Sequence, residues 1–260
     1  MTSMAWMSVH PHAYAGFSSA AASYERGRPG YPPAAVSWLV GQLDLGPGRT
    51  VLDLGAGTGK LTRELVATGA SVLALEPVPE MAAVLQRSAP SAQVVTATAA
   101  ATGLETHSVD AATAAQAFHW FSDEPSLREI HRVLVPGGPL GLIWNHRDTS
   151  ARLWAAIEEV VEPHRHGEPT YRDRKWAAAL AASDLFGDPL GRVFEHSQEL
   201  ALEQLVDRVA SISFIAILDA GTRQQVAEQV LALGRAALAR SGGHLALAYR
   251  TEVWVTRAIP

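Results

Sequence analysis

The segment from 51 to 60 constrains the fold of this 260-residue chain more than any other feature. Its sequence is Val-Leu-Asp-Leu-Gly-Ala-Gly-Thr-Gly-Lys, an apolar run of strand length that leads into three glycines and the start of a helical pattern. Glycine permits positive φ and lets the backbone approach a ligand closely. The N-terminus of a helix presents N–H groups that have no partner within the helix. The segment therefore predicts a strand, a ligand-binding loop and a helix in direct succession.

Short apolar runs alternate with helical patterns through the first part of the chain. The strands predicted there are 50–54, 71–76, 92–96, 109–115 and 139–144. The helices predicted there are 33–43, 59–68, 79–88 and 123–134. This alternation is typical of βαβ units, in which helices cover both faces of a parallel sheet.

The second part of the chain has more helical patterns and two further strands. The helices predicted there are 150–162, 174–183, 202–219 and 221–240, and the strands are 191–198 and 245–256. The sequence therefore predicts one α/β domain with a doubly wound, mostly parallel seven-stranded sheet. We expect the later helices to be inserted as a lid over one end of this sheet.

The composition excludes several classes of function. Because the chain has no cysteine, it has no disulfide, cysteine nucleophile or iron–sulfur cluster. A net charge of −5 without a basic run argues against nucleic acid and anionic membranes as partners. No apolar stretch reaches the roughly 18 residues that cross a bilayer, and no secretory signal is recognisable. We expect a soluble cytoplasmic protein, and no residue spacing indicates a metal site.

Three residues around the glycines indicate the kind of ligand. A dinucleotide-binding loop needs glycine at its sixth position, where this chain has Lys60. Asp53 lies two residues before the first glycine, where a carboxylate repels a pyrophosphate but accepts from an ammonium group directly or through water. Glu76 ends the next strand, where a carboxylate accepts from ribose hydroxyls. A ligand with a ribose, an amino group and no phosphate satisfies this pattern, which favours S-adenosylmethionine over NAD.

The chain resembles the class I S-adenosylmethionine-dependent methyltransferases over about residues 14–256. The glycine motif, the acid Glu76 and the turn at 136–138 carry this likeness. A small-molecule subgroup similar to trans-aconitate methyltransferase is closer still, through the motifs at 24–32, 115–121 and 144–148. The resemblance implies a Rossmann-like methyltransferase fold with strand order 3-2-1-4-5-7-6 and an antiparallel last strand. It also implies an N-terminal arm (1–33) that covers the site, a cofactor-binding core (34–149), a lid with one strand (150–240) and a last strand (241–260).

The resemblance also implies which residues bind the cofactor. They are Asp53, Gly55, Ala56, Gly57, Glu76, Pro77, Thr98, Ala99, Gln116, Tyr24 and Arg28. At Thr98 the family often has an acid that accepts from adenine, so here a hydroxyl and the Ala99 N–H are left for that contact. Arg28 is expected to pair with the cofactor carboxylate or an acidic substrate.

His119 is the predicted catalytic residue, as an acid or base or as a substrate contact. Its other interpretation is a histidine with satisfied hydrogen bonds in an aromatic wall, formed with Phe118, Trp120 and Phe121. Asn145 to Asp148 end the fifth strand on the same rim of the sheet. There Arg147 and Asp148 are expected either to serve the site or to pair with each other and fix the lid.

The leading hypothesis is methyl transfer from S-adenosylmethionine to oxygen or nitrogen of a small organic molecule by in-line displacement. A non-catalytic or repurposed S-adenosylmethionine-binding protein on the same fold is the alternative. The third hypothesis is an NAD-dependent dehydrogenase, but Lys60 and Asp53 argue against it. The expected partner is a small-molecule acceptor, and the chain is expected to act as a monomer or homodimer.

Overall fold

A computed structural model describes residues 25, 27–165 and 171–260 of the chain. Its strands are β1 (Thr50–Leu54), β2 (Ser71–Leu75), β3 (Gln93–Val95), β4 (Ala111–Ala115), β5 (Pro139–Arg147), β6 (Leu190–Glu199) and β7 (Ala246–Arg257). They form one seven-stranded sheet with the order β3-β2-β1-β4-β5-β7-β6. β7 runs antiparallel to both of its neighbours, and the pairs among β1 to β5 are parallel. The predicted strand number, order and antiparallel last strand are confirmed.

The α-helices lie between these strands along the chain. They are α1 (Pro33–Leu43), α2 (Lys60–Val66), α3 (Pro79–Ser88), α4 (Glu124–Val133), α5 (Arg152–Val161), α6 (Lys175–Ala181), α7 (Leu202–Ala210), α8 (Ser213–Ala216) and α9 (Ala220–Arg240). Among the described residues, no helix combines the length and the apolar character that a membrane span requires.

Local sequence explains where the helices of the first part begin and end. The side chain of Asp123 caps α4 by accepting from the Ser126 N–H at 3.0 Å. Leu127, Ile130 and Val133 of this helix are buried, as their spacing predicts. Gly137, with φ of 74°, forms the turn that follows, because a left-handed backbone is nearly free for glycine.

Hydrophobic clusters cover both faces of the sheet. On one face, Leu39 of α1 and Leu65 of α2 pack with Val51 and Val253. On the other, Ile130 of α4 packs with alternate residues of β1, β4 and β5, such as Leu52. A side chain points to the opposite face at every second residue of a strand, so these buried strands are apolar on both sides.

The strand order reverses at β1. β1 pairs with β2 on one side and with β4 on the other, while the chain reaches β3 on the far side of β2. Ligands of open α/β sheets bind beyond the carboxyl ends of the strands at this kind of switch point. The glycine loop follows β1 directly and therefore lies at that place.

The lid helices have a core of their own, but the predicted lid is only partly separate from the sheet. Side chains of α5, α7, α8, α9 and the start of β7 form one cluster, which includes Trp154, Val209 and Val230. In contrast, Trp176 and Phe186 pack into the sheet core beside Trp144. The segment 171–186 is therefore a layer on the sheet.

The single helix predicted over 202–219 is wrong. The chain forms α7 and the short α8, with Ser211 and Ile212 between them. The Ser211 hydroxyl donates to the Arg208 carbonyl at 2.7 Å, and Ile212 adopts an extended conformation with ψ of 129°. Serine competes for backbone partners in this way, and no glycine or proline marks the break in the sequence.

Candidate active site

The loop between β1 and α2 has the conformation that its glycines predict. Gly55, Gly57 and Gly59 have φ of 62°, 60° and 88°. At Gly55 the cause is also steric, since an added Cβ would lie 2.9 Å from the Cβ of Ala117. At Gly57 the nearest contact of an added Cβ would be the Met81 methyl at 4.0 Å, so this side of the loop is open.

Glu76 is attached to the loop by hydrogen bonds. Its Oε2 accepts from the Gly57 N–H at 2.8 Å, and its Oε1 accepts from the Val78 N–H at 2.9 Å. The residue is 5% exposed, and burial raises the pKa of its carboxyl to about 7. Each carboxylate oxygen can accept more than one hydrogen bond, so both keep acceptor capacity beside the open face of the loop.

The Asp53 side chain lies behind the loop and is buried. Its carboxyl is fully buried, and its two oxygens accept from the Thr62 hydroxyl at 2.7 Å and the Thr113 hydroxyl at 2.9 Å. Burial raises the pKa of this carboxyl to about 6. Asp53 therefore connects β1 to α2 and β4 behind the loop, where it positions the loop, and its contact with an ammonium group, directly or through water, stays a prediction.

Gln116 stands at the carboxyl end of β4 with an unusual backbone. Its φ is 57°, in the left-handed region that non-glycine residues seldom adopt. Its N–H donates to the Ile143 carbonyl at 2.9 Å, and its side-chain amide donates to the Asn145 carbonyl at 3.1 Å. Strained conformations of this kind cluster at functional sites, which agrees with the predicted role of Gln116.

The described part of the N-terminal arm bridges the loop, the sheet and the lid. The Asn145 side-chain amide donates to the Gly30 carbonyl at 2.9 Å. Arg28 donates through Nε to the Ser211 hydroxyl at 3.1 Å and through a terminal nitrogen to the Ser211 carbonyl at 3.0 Å. The arm therefore lies across the carboxyl ends of β1, β4 and β5.

A small cavity of about 30 Å³, partly open to solvent, lies under this arm. Its lining comes from the arm, the glycine loop and α2, the ends of β4 and β5, and one lid helix. These residues are Arg28, Pro29, Tyr31, Gly55, Ala56, Gly57, Thr58, Lys60, Leu61, Ala115, Gln116, Asn145 and Arg208.

The structure gathers part of the predicted cofactor set around this cavity. Five predicted residues line it, namely Arg28, Gly55, Ala56, Gly57 and Gln116. Glu76 and Pro77 follow β2, outside the lining, and Glu76 is joined to the loop through Gly57. Thr98 and Ala99 are buried after β3 and also lie outside the lining. Tyr24 lies outside the described residues.

Lys60, which replaces the sixth-position glycine of a dinucleotide-binding loop, contacts Glu25 of the arm. The Thr58 hydroxyl donates to Glu25 Oε2 at 2.6 Å, and Lys60 donates to the Glu25 carbonyl at 3.0 Å. Arg63 of α2 forms an ion pair with the same glutamate at 3.2 Å. Burial lowers the pKa of Lys60, and Glu25 opposes this shift. These contacts fasten the arm to the first turn of α2.

His119 is neutral and half-buried. The Trp144 indole N–H donates to its Nδ1 at 3.3 Å, which leaves the proton of the neutral ring on Nε2. Burial and the charge of Arg28 lower the pKa of His119 to about 3. Such a weak base is poorly matched to proton abstraction near neutral pH, whereas the Nε2–H can donate a hydrogen bond to a substrate, the other role predicted for His119.

Arg147 pairs with Glu158 of α5 at 3.3 Å, and Asp148 instead accepts from Ser150. The expected pair between Arg147 and Asp148 is therefore wrong. Burial and the neighbouring Arg208 lower the pKa of Arg147 to about 9. The ion pair joins the end of β5 to the lid.

The sequence analysis assigned no role to Asn145 and Arg208 of the cavity wall, or to Ser211, which holds Arg28. Asn145 was placed on the rim only as part of a motif, while Arg208 and Ser211 were not considered. One sequence feature could have indicated Arg208: it stands with Leu205 and Val209 on the buried stripe of α7, where an arginine is out of place. Ser211 carries no such signal.

The described residues contain no cluster of three or more side chains that could hold a metal ion.

Comparison with known proteins identifies the family. The family described as "Methyltransferase domain" matches residues 52–142. An uncharacterized methyltransferase of Mycobacterium tuberculosis is 41% identical over 237 residues, which cover 90% of this chain and 92% of that protein. The chain belongs to the class I S-adenosylmethionine-dependent methyltransferases.

Solved structures have the same fold as this methyltransferase. One is a candidate type II methyltransferase of Anaeromyxobacter dehalogenans, with a TM-score of 0.64 and 23% identity over 89% of this chain and 97% of that chain. Another is a phosphoethanolamine N-methyltransferase of Haemonchus contortus, solved with phosphomonomethylethanolamine and S-adenosylhomocysteine. It has a TM-score of 0.51 and 15% identity, over 94% of this chain and 57% of that chain.

The residues of this methyltransferase fit S-adenosylmethionine, the cofactor of its family. Gly57 keeps one side of the loop open, and Glu76 presents acceptor capacity beside it. Neither feature suits a pyrophosphate, because Glu76 already occupies the Gly57 N–H with a carboxylate. A ribose, which brings hydroxyl donors and no charge, matches this arrangement.

Proposed function

We propose that this methyltransferase transfers the methyl group to an oxygen or nitrogen of a small organic acceptor bound in the cavity under the arm. The observation that carries the proposal is the composition of the cavity wall. Loop backbone, strand-end amides and a lid arginine meet around one space, roofed by the arm. A cleft of mixed polarity that is roofed in this way suits a small molecule better than a macromolecule.

The loop and Glu76 form the cofactor-binding part of the proposed site. Glu76 accepts the ribose hydroxyls, and Gly55 to Gly57 let the backbone approach the rest of the cofactor. Arg28 on the arm and Gln116 at the end of β4 serve the methionine half. Pro77, Thr98 and Ala99 remain the predicted adenine side, beyond the cavity.

When bound, S-adenosylmethionine supplies a methyl group on a positively charged sulfur, which a nucleophile attacks in line. The main tasks of the chain are then to align the acceptor and to exclude water. The arm performs the second task through its anchors to Asn145 and Ser211. With an anionic acceptor the reaction consumes opposite charges, and a site of low dielectric constant then favours it.

We propose that His119, which follows β4 and lies outside the lining of the cavity, donates a hydrogen bond to the acceptor and does not abstract a proton. Its Nε2–H donates, its Nδ1 is used by Trp144, and its pKa of about 3 keeps the ring neutral. A carboxylate acceptor needs no base, and an amine that binds unprotonated needs none before attack.

The proposal keeps the remaining expectations of the sequence analysis. The partner is a small acceptor, with no nucleic acid, and the chain works in the cytoplasm as a monomer or homodimer. The absence of a basic run supports the expectation that nucleic acid is not a partner, since nucleic acid is bound mainly by lysine and arginine.

Calorimetric titration with S-adenosylhomocysteine tests the cofactor assignment, with NADH as the negative ligand. We expect Glu76→Ala to weaken S-adenosylhomocysteine binding by roughly tenfold or more, since two charge-assisted hydrogen bonds are lost. Glu80→Ala is the matched control, an exposed glutamate in the first turn of α3, and should bind as wild type does. Equal affinity of Glu76→Ala and wild type would show that the ribose assignment is wrong.

A screen with radiolabelled S-adenosylmethionine tests the acceptor class. We expect label transfer to members of a small-molecule library and none to RNA, DNA or protein extracts. Transfer to a macromolecule would overturn the small-molecule assignment. Tight cofactor binding without transfer to any compound would favour the non-catalytic alternative.

A further inference from the structure

Arg208 is a buried cation in the wall of the cavity. The residue belongs to α7 and is 4% exposed. Its Nε donates to the Tyr249 hydroxyl at 3.0 Å, and its guanidinium carbon lies 5.4 Å from the centre of the Trp154 ring and 5.9 Å from that of Tyr249. Among the described residues, its buried NH1 has no hydrogen-bond partner.

No carboxylate of the described residues lies within 4.0 Å of Arg208. Burying a charge without a counter-ion costs free energy, and an unsatisfied donor adds to that cost. An anionic ligand that binds in the cavity would offset the cost of burying this unpaired guanidinium. Arg208 therefore indicates an anion as one group of the ligand.

The neighbouring charges indicate how much negative charge the ligand brings. Arg147 has its own counter-ion, Glu158, at 3.3 Å. His119 and His146 are neutral, because burial lowers their pKa values to about 3 and about 4. Arg28, held by Ser211, is the predicted partner of the cofactor. Lys60, the other cation of the wall, is paired with Glu25 at 3.5 Å. Among the described residues of the cavity wall, Arg208 is therefore the cation without an assigned counter-charge. It balances a single negative charge, which matches a carboxylate better than a phosphate monoester of nearly two charges.

We propose that Arg208 binds a carboxylate of the methyl acceptor and so selects acidic substrates. This inference rests on the proposed function and names the substrate class of the same site. The planar guanidinium suits bidentate binding of a carboxylate, and its placement on the lid puts this contact opposite the glycine loop. The rings of Trp154 and Tyr249 hold the guanidinium in a fixed orientation.

The methionine half of the cofactor also carries a carboxylate, so the test must separate two sources of the same chemistry. S-adenosylhomocysteine contains this carboxylate, and 5′-methylthioadenosine lacks it. Arg208→Met removes the charge and keeps the aliphatic stem, while Arg208→Lys keeps the charge without the planar fork. Arg192→Met is the control, because Arg192 lies on the exposed edge strand β6 over the Phe194 ring.

The probes are benzoate, phenylacetate, 3-phenylpropionate, succinate and glutarate, each with its uncharged amide, titrated into the S-adenosylhomocysteine complex. We expect at least one carboxylate to bind while its amide does not. Arg208→Met should weaken that binding by roughly ten- to hundredfold, with a smaller loss for Arg208→Lys. Arg192→Met should bind the carboxylates as wild type does. Phenyl phosphate should bind less tightly than benzoate.

The melting temperature without ligand separates a binding role from a structural one. Removing a buried cation that has no counter-ion should leave the melting temperature of Arg208→Met unchanged or raise it. A merely structural arginine would lower it, because the contacts to Tyr249 and Trp154 are lost.

Three results would overturn the proposal. The first is that no carboxylate binds with dependence on Arg208. The second is that Arg208→Met weakens S-adenosylhomocysteine but not 5′-methylthioadenosine, which would assign Arg208 to the cofactor. The third is a melting temperature lowered by several degrees together with unchanged carboxylate binding. Failure of the cofactor site itself is seen separately, as loss of Glu76-dependent S-adenosylhomocysteine binding in the wild-type protein.

Discussion

The glycine loop and the lid contribute to one cavity by different means. The loop lines the cavity with Gly55, Ala56 and Gly57, which are consecutive in sequence. The buried acids Asp53 and Glu76 hold the loop from outside the cavity wall. The lid offers the side chain of Arg208, which reaches the cavity only because α7 packs on the sheet through Tyr249.

This difference determines what each half can tolerate. Backbone geometry fails when a residue cannot adopt the required φ, so the loop is sensitive to any side chain at its glycines. A side-chain contact can be removed while the fold remains, so the lid can change its ligand without losing the sheet. The predictions below test this contrast from the largest expected effect to the smallest.

Gly55→Ala should have the largest effect. The new Cβ would stand 2.9 Å from the Cβ of Ala117, which cannot rotate away, at a φ of 62°. The left-handed backbone costs about 1–2 kcal/mol and overpacking about 1–3 kcal/mol, so we expect a loss of about 2–5 kcal/mol in the free energy of unfolding. Denaturant unfolding measures this loss, and S-adenosylhomocysteine binding should fall with it.

Gly48→Ala is the matched control for the steric part of that cost. Gly48 has φ of 84°, but an added Cβ would meet nothing within 4 Å. Its loss should therefore be about 1–2 kcal/mol, with cofactor binding unchanged. Equal losses of stability in the two variants would show that crowding between the added methyl group at position 55 and Ala117 costs no free energy.

The loop could be predicted from the sequence because its requirements are local. Glycine spacing, the apolar run before it and Glu76 at the end of the next run are all visible within 51–76. Strand number followed from the same periodicity, and strand order from the resemblance, and both are confirmed.

The lid could not be predicted to the same extent, because long-range packing decides it. The break at Ser211 depends on a serine hydroxyl that finds the Arg208 carbonyl, and the place of 171–186 depends on Trp176 packing beside Trp144. The pairing of Arg147 with Glu158 likewise requires that α5 cross the end of β5. Local propensities do not contain these contacts.

Cofactor affinity should depend on pH through the loop and not through the lid. Burial raises the pKa of Glu76 to about 7, and the ionised carboxylate accepts hydrogen bonds on both oxygens. Binding therefore favours the deprotonated form, so S-adenosylhomocysteine affinity should rise with pH up to about 7 and level off above it. Below that value it should fall by about tenfold per pH unit.

Glu76→Gln separates this effect from other titrations. The amide has no proton to lose, so its affinity should be weaker and nearly flat between pH 5 and 8. Calorimetry over this range checks both proteins. If the affinity of the wild-type protein shows no change of slope near pH 7, the raised pKa of Glu76 is contradicted. If Glu76→Gln keeps the same pH dependence of affinity, that dependence belongs to another group.

The smallest expected effect is at His119, whose ring should not change its charge over the pH range studied. Its Nδ1 accepts from the Trp144 indole, and burial beside Arg28 holds its pKa near 3, so the ring should stay neutral from pH 5 to pH 8. Nitrogen chemical shifts of ¹⁵N-histidine-labelled protein report both charge and tautomer, and His119→Gln identifies the signal. We expect the Nε2–H tautomer throughout this range. Protonation of His119 between pH 6 and 7 would restore it as a candidate base, and the aromatic wall would then carry a group that titrates near neutral pH, as the loop does through Glu76.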